Sequence, residues 1–257
     1  MPISRLRKAL ASLDPVQLRL IETDWDGWSH TAQRPPESDW ATWLFLGGRG
    51  AGKTRAGAEW LTRQAVRRAR LALVGPTLHD VREVMIEGPS GLRAIAPWGR
   101  RPVYEISRRR LVWPNGAVAH AFSAEDPESL RGPQFHAGWA DEFCAWKRPG
   151  EALAMLRLGM RLGGDPRLVI TTTPKPMPAL TRLMAEPTTA STHAPTRMNA
   201  RNLSRGFLAG LEALYGGTRL ETQEMNGLIL SAGEALWTQA LLDRCRGGTP
   251  RAFRKGV

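Results

Sequence analysis

Gly47, Gly52, Lys53 and Thr54 stand in the order G-x-x-x-x-G-K-T within the stretch WLFLGGRGAGKT. That spacing holds polyphosphates: backbone N–H groups turn inward around the anion, the lysine reaches its outer phosphates and the hydroxyl ligands Mg²⁺. The glycines at 47, 48, 50 and 52 are expected to take positive φ and let the backbone, together with Arg49 and Ala51, approach an anion closely. The spacing implies a nucleoside triphosphate, with Lys53 at its β- and γ-phosphates.

A second chemical landmark is PQFHAGWADE, residues 133–142, where an extended apolar stretch ends in Asp141 and Glu142. At the C-terminal end of a parallel strand such side chains face the ligand crevice. Asp141 is then placed to hold Mg²⁺, and Glu142 to take a proton from an attacking water. A third stretch, Leu168-Val169-Ile170, runs into Thr171, Thr172 and Thr173. Hydroxyls at a strand end beside a triphosphate can sense its hydrolysis, although a threonine run by itself is only β-propensity. In ATPases of this general kind the base is often held just before the phosphate-loop strand, which makes Gln33 and Arg34 the candidates for that role.

These residues need a sheet to position them. Trp43–Leu46 and Leu71–Gly75 read as strands buried on both faces, with a helix expected over Thr54–Ala69 between them. Gly57, Ala58, Leu61, Ala65 and Ala69 share that helix's buried face; Arg63, Arg67 and Arg70 lie opposite, with Glu59 expected to pair with Arg63. A further helical stretch runs through Val84–Ile86. Extended runs at Tyr104–Ile106, Arg110–Trp113 and Ala117–Phe122 are joined by Asn115-Gly116, a hairpin signal, with Arg108–Arg110 expected at a solvated tip. Met177–Met184 reads as a helix, Ser191–Ala194 as a weaker strand, and Phe207–Tyr215, Arg219–Leu230 and Leu236–Arg244 as helices. The alternation predicts an α/β fold with a mostly parallel sheet and an antiparallel addition.

The chain has 257 residues and a formal net charge of +12, which favours a polyanionic partner, nucleic acid before others. Only five of its 36 basic residues are lysines, a skew a GC-rich genome would also produce, though it does not explain the excess of basic over acidic residues. Two cysteines exclude a disulfide framework. No apolar run is long enough to span a membrane and the first residues lack a signal-peptide core, so a cytoplasmic protein without a membrane partner is expected.

GGRGAGKT, SAEDPESLRGPQF, GWADEFCAW and TTTPKP together resemble the large terminase subunit of tailed bacteriophages and gene transfer agents, and YGGTRLETQEMNG is similar to that family's helical region. The resemblance implies an additional-strand P-loop ATPase that pumps double-stranded DNA into a procapsid in a bacterial host cell. ATP and Mg²⁺ are its implied cofactors, and its implied partners are the portal, a small terminase subunit and further copies in a homo-oligomeric ring. It places Lys53 and Thr54 at the phosphates and metal, Asp141 at the metal, Glu142 as catalytic base and Thr171–Thr173 as the coupling segment. Arg49 matches an arginine that senses the γ-phosphate in cis. Arg131 matches an arginine finger acting on a neighbour, or else is a loop arginine paired with Glu125, Asp126 or Glu128.

The expected organisation is a basic segment and base-side loop over 1–40, an ATPase core over 41–198, a helical lid or linker over 199–246 and a basic tail over 247–257. The family's full-length members continue into a metal-dependent nuclease domain. About ten basic residues after the last helix cannot build one, so ATP hydrolysis without DNA cleavage is expected. Other classes stay open: a P-loop kinase, a GTP switch (disfavoured, since no Asn-Lys-x-Asp guanine-reading tetrapeptide occurs), or a non-catalytic nucleotide-binding assembly protein.

Overall fold

Every residue of strand β1, Thr42–Gly47, is buried, as a strand covered on both faces requires. The computed structural model describes residues 10–230 apart from Trp98. The basic residues Arg5, Arg7 and Lys8, the expected helix over Leu236–Arg244 and the 247–257 tail lie outside the described residues. The remaining strands are β2 (Arg70–Gly75), β3 (Val103–Glu105), β4 (Arg110–Val112), β5 (Val118–Ser123), β6 (Ala137–Asp141), β7 (Arg167–Thr172) and β8 (Thr189–Ala194). They form one eight-stranded sheet in the order β3-β4-β5-β2-β6-β7-β1-β8. All neighbours run parallel except β3 with β4 and β4 with β5.

Alternation along each central strand divides the core in two. Trp43 and Phe45 point to one face with Leu71, Leu73 and Trp139; Leu44 and Leu46 point to the other with Val74 and Ile170. The first face is covered by helix α2 (Lys53–Arg67), the second by α3 (Pro149–Gly159) and α4 (Pro178–Met184). Helix α1 (Pro15–Glu22) precedes the sheet, and α5 (Arg205–Tyr215) and α6 (Arg219–Glu224) follow it. Gly57 sits mid-helix in α2 because a Cβ there would lie 2.2 Å from Trp139 Nε1; the missing side chain lets helix and sheet close up.

Several sequence expectations shift. α2 ends at Arg67 rather than Ala69, because Arg68 is already extended towards β2. Glu59 pairs with Arg55 at 2.8 Å, not with Arg63, which reaches Asp26 at 2.9 Å. Ile106 belongs to a 3₁₀ turn, Ile106–Arg108, leaving β3 to close at Glu105. Of the arginine run, Arg109 alone takes a left-handed conformation (φ 48°), and Arg110 is tied to Glu105 at 2.7 Å. The region 25–40 is not plain loop but carries short turns at Trp25–Trp28 and Thr31–Gln33. The stretch through Val84–Ile86 is π-helical (Val81–Ile86), α3 is an additional helix, and α6 stops at Glu224, six residues short of expectation.

Candidate active site

Asp141, Glu142, Thr173 and the phosphate loop converge because β6, β7 and β1 are successive parallel neighbours whose C-terminal ends face one cleft of about 1080 Å³. β7 lies between the strand that feeds the loop and the strand that ends in the carboxylates, so both come within reach of the same ligand.

The loop's shape follows from its glycines, though not all in one way. Gly50 and Gly52 take positive φ (72° and 81°). Gly47 and Gly48 do not, against expectation; Gly48 is required because a Cβ there would stand 2.3 Å from the Met225 carbonyl oxygen. Among the described residues no protein group accepts from the N–H groups of Gly50, Gly52, Lys53 or Thr54. Such donors at the start of α2, where the helix dipole is positive, suit an anion.

Lys53 is buried, and its Nζ donates to Gly48 O at 3.1 Å and Thr173 Oγ1 at 3.0 Å, with Glu142 Oε1 at 3.7 Å. Thr54 Oγ1 faces Asp141 Oδ2 at 3.5 Å. Asp141 is the last residue of β6 and is buried; its Oδ1 accepts from Thr171 Oγ1 at 2.5 Å, which in turn accepts from Trp139 Nε1 at 2.9 Å. Burial, then the neighbouring Glu142 charge, push the Asp141 carboxyl up to about 7, against the opposing pull of Thr171 and Lys53. Glu142 leaves the strand in a left-handed conformation (φ 49°), which turns its carboxylate into the cleft, where Oε2 accepts from Thr173 N at 3.4 Å. Its side chain is 38% exposed, so water reaches it.

The three threonines have different surroundings. Thr173 touches Lys53 and lines the cleft, Thr171 braces Asp141, and Thr172 faces away, accepting from Cys144 N at 2.9 Å. Arg49 also lines the cleft, but its guanidinium is held by Glu224 of α6 at 2.5 Å, and its N–H donates to Glu224 O at 2.6 Å. Gln33 lines the cleft with its amide against the loop; Arg34 does not, being turned onto Ser29 Oγ at 2.8 Å and the Asp26 carbonyl and lining a neighbouring cleft. Arg131 stands outside the cleft, 78% exposed, 3.6 Å from Glu128. Sequence reasoning did not single out Glu224, His30, Thr196 or Asn199, all of which touch the loop. Glu224 lay inside the quoted YGGTRLETQEMNG stretch; the other three carried no motif.

A phosphate loop on one strand, an acidic tip on another and an intervening strand between them define a P-loop ATPase of the additional-strand type. The model of the terminase large subunit, T4likevirus-type, N-terminal family matches residues 44–244. The chain belongs to that family, which makes it a nucleotide-binding ATPase of the phage DNA-packaging type. Its fold is similar to the Thermus phage P74-26 large terminase ATPase domain, with a TM-score of 0.59, 16% identity, and coverage of 77% of this chain and 92% of that one. It is also similar to a full large terminase from a thermophilic bacteriophage, with a TM-score of 0.61, 16% identity and coverage of 82% of this chain. The chain spans 52% of that second protein's length. The same thermophilic phage terminase in complex with ATP-γ-S matches with 15% identity, covering 82% of this chain and 51% of that one, at a TM-score of 0.61. No curated protein sequence matches. Among the described residues no helix is long and apolar enough to cross a membrane.

Proposed function

We propose that this chain hydrolyses ATP to translocate double-stranded DNA into a phage-like procapsid, as one subunit of a homo-oligomeric ring working with a portal and a small terminase subunit. The observation that supports it best is the meeting of Lys53, Thr54, Asp141 and Glu142 in one cleft. The donor set fits Mg²⁺: a hydroxyl and a carboxylate oxygen oppose one another, and both are hard oxygen ligands. Among the described residues no group of three His, Cys, Asp or Glu could hold a metal, so the rest of the shell would fall to phosphates and water, as Mg²⁺ prefers. Thr54 and Asp141 would hold the ion, whose charge neutralises the phosphates.

Glu142 accepts a proton from water as its oxygen bonds to the γ-phosphorus, and the bond from that phosphorus to the ADP oxygen breaks. Lys53 stabilises charge on the phosphate oxygens, and Arg49 joins it from the loop in cis. Arg131 reaches the neighbouring subunit's site, for which its exposure suits it. Thr173 touches Lys53, and Thr171 touches Asp141, so β7 can report loss of phosphate to the α5–α6 region. Exposed arginines hold the DNA backbone.

The test is ATP turnover by the purified chain with and without duplex DNA, at about 50 and 200 mM salt. Turnover should rise with DNA of any sequence and the stimulation should fall steeply at the higher salt, because phosphate contacts release counterions. Equal turnover with and without DNA at both salts would remove the motor reading.

A further inference from the structure

Carbonyls of four successive loop residues, Arg49 to Gly52, each meet a side chain from outside the loop at hydrogen-bonding distance. Thr196 Oγ1 donates to Arg49 O at 2.7 Å and Asn199 Nδ2 to Gly50 O at 2.7 Å. His30 Nε2 lies 3.2 Å from Ala51 O, and Gln33 Nε2 donates to Gly52 O at 3.2 Å. Two of these side chains come from the segment before β1. The other two come from the 3₁₀ turn Thr196–Asn202 after β8. Gln33, Thr196 and Asn199 are all buried.

Both amide donors have their orientation fixed by a second contact. Gln33 Oε1 accepts from His30 N at 3.1 Å, which leaves its Nε2 for the loop. Asn199 Oδ1 accepts from Asn202 Nδ2 at 2.7 Å, with the same result. A hydrogen-bonded His30 must carry its proton on Nε2, since Ala51 O can only accept.

A trans peptide is planar, so the carbonyl of one residue and the N–H of the next point in opposite directions. Drawing the carbonyls of Arg49, Ala51 and Gly52 outward therefore turns the N–H groups of Gly50, Gly52 and Lys53 inward, while the Ala51 N–H stays on Gly48 O at 3.2 Å. We propose that Thr196 and Asn199, with His30 and Gln33, are positioning residues for nucleotide binding: they hold the phosphate loop open for a triphosphate from its outer side. This deepens the ATPase reading and rests on it. It also gives Gln33 a role on the loop's backbone, in place of contact with the base. Thr196 N donates to Met225 O at 2.8 Å, so the same turn ties the loop's outer side to the end of α6.

The experiment measures ATP and ADP affinity by calorimetry, well below the melting temperature, for the parent chain, Thr196→Val, Thr196→Ser, Asn199→Ala and Asn199→Asp. Thr196→Val and Asn199→Asp keep the side-chain volume while deleting the donor. Each should weaken ATP about tenfold, the equivalent of ~1.4 kcal/mol. Thr196→Ser restores the hydroxyl and should bind like the parent. Asn199→Ala should weaken ATP at least as much as Asn199→Asp. Affinities in Thr196→Val and Asn199→Asp within twofold of the parent, with only the melting temperature lowered, would overturn the inference and leave the ATPase reading standing. A parent chain that binds no ATP would overturn both.

Discussion

The phosphate loop and the Pro127–Gly132 turn are both short connections that carry an arginine, yet they are built on opposite principles. In the loop, Arg49 is fastened at its backbone N–H, its carbonyl and its guanidinium. In the turn, Pro127 and Leu130 are buried and anchor the stem, while Arg131 projects with 78% of its side chain exposed and Glu128 beside it. An exposed pair of that kind contributes under about 1 kcal/mol. The difference teaches where preorganisation resides. Groups that act within the chain are over-determined, and an arginine suited to act on another chain has a firm base and a free tip.

The largest test of that contrast is Arg131→Ala. If the tip serves a neighbour, DNA-stimulated turnover of the assembled ring should fall by roughly 10³-fold or more, the range for a missing arginine finger. ATP affinity of the isolated chain should change less than about twofold, because Arg131 lies outside the cleft. Mixing Arg131→Ala with a Lys53→Ala chain should then recover turnover, since each supplies what the other lacks. No recovery in the mixture, with both parts folded, would return Arg131 to the rank of a loop arginine.

Glu142→Gln comes next and probes the over-determined side. It keeps volume and the hydrogen bond from Thr173 N but removes the base, so turnover should drop by about 10²–10⁴-fold. ATP affinity should hold or tighten slightly, because one negative charge near the phosphates is gone. A Glu142→Gln chain with parental turnover places the base elsewhere.

How much of this could be read from the chain alone divides along the same line. Lys53, Thr54, Asp141 and Glu142 were legible because their roles demand fixed residue types at strand ends and fixed spacing within the loop. The sheet's central strands were legible because burial on both faces leaves unbroken apolar runs. Thr196, Asn199 and His30 were not, since any side chain with a donor at the right distance could hold a carbonyl, and no spacing announces it. Glu59 was misassigned because i±4 neighbours exist on both sides of it; Arg55 won, and Asp26, far away in sequence, took Arg63. α6 stopping at Glu224 was equally hidden: the chain turns there because Met225 must reach Gly48 and Thr196, which is tertiary packing and not propensity.

The smallest effects come from a paired glycine experiment. A Cβ at Gly48 would stand 2.3 Å from the Met225 carbonyl oxygen and 2.8 Å from Thr196 Oγ1, so Gly48→Ala must push the end of α6 away from the loop. A Cβ at Gly132 meets nothing within 4 Å, leaving only the strain of its φ of 103°. Both substitutions should destabilise, by roughly 1–3 kcal/mol each from overpacking at Gly48 and from backbone strain at Gly132. For a chain of this size that lowers the melting temperature by about 2–4 °C per kcal/mol. The comparison lies in what else changes. Gly48→Ala should also weaken ATP several-fold, since the Arg49 contacts to Glu224 and Thr196 move with the displaced backbone. Gly132→Ala should leave affinity where it was. Equal affinity losses in the two variants, measured by calorimetry at a temperature where both are folded, would mean the turn is coupled to the cleft, and the contrast between a braced loop and a free tip would fail.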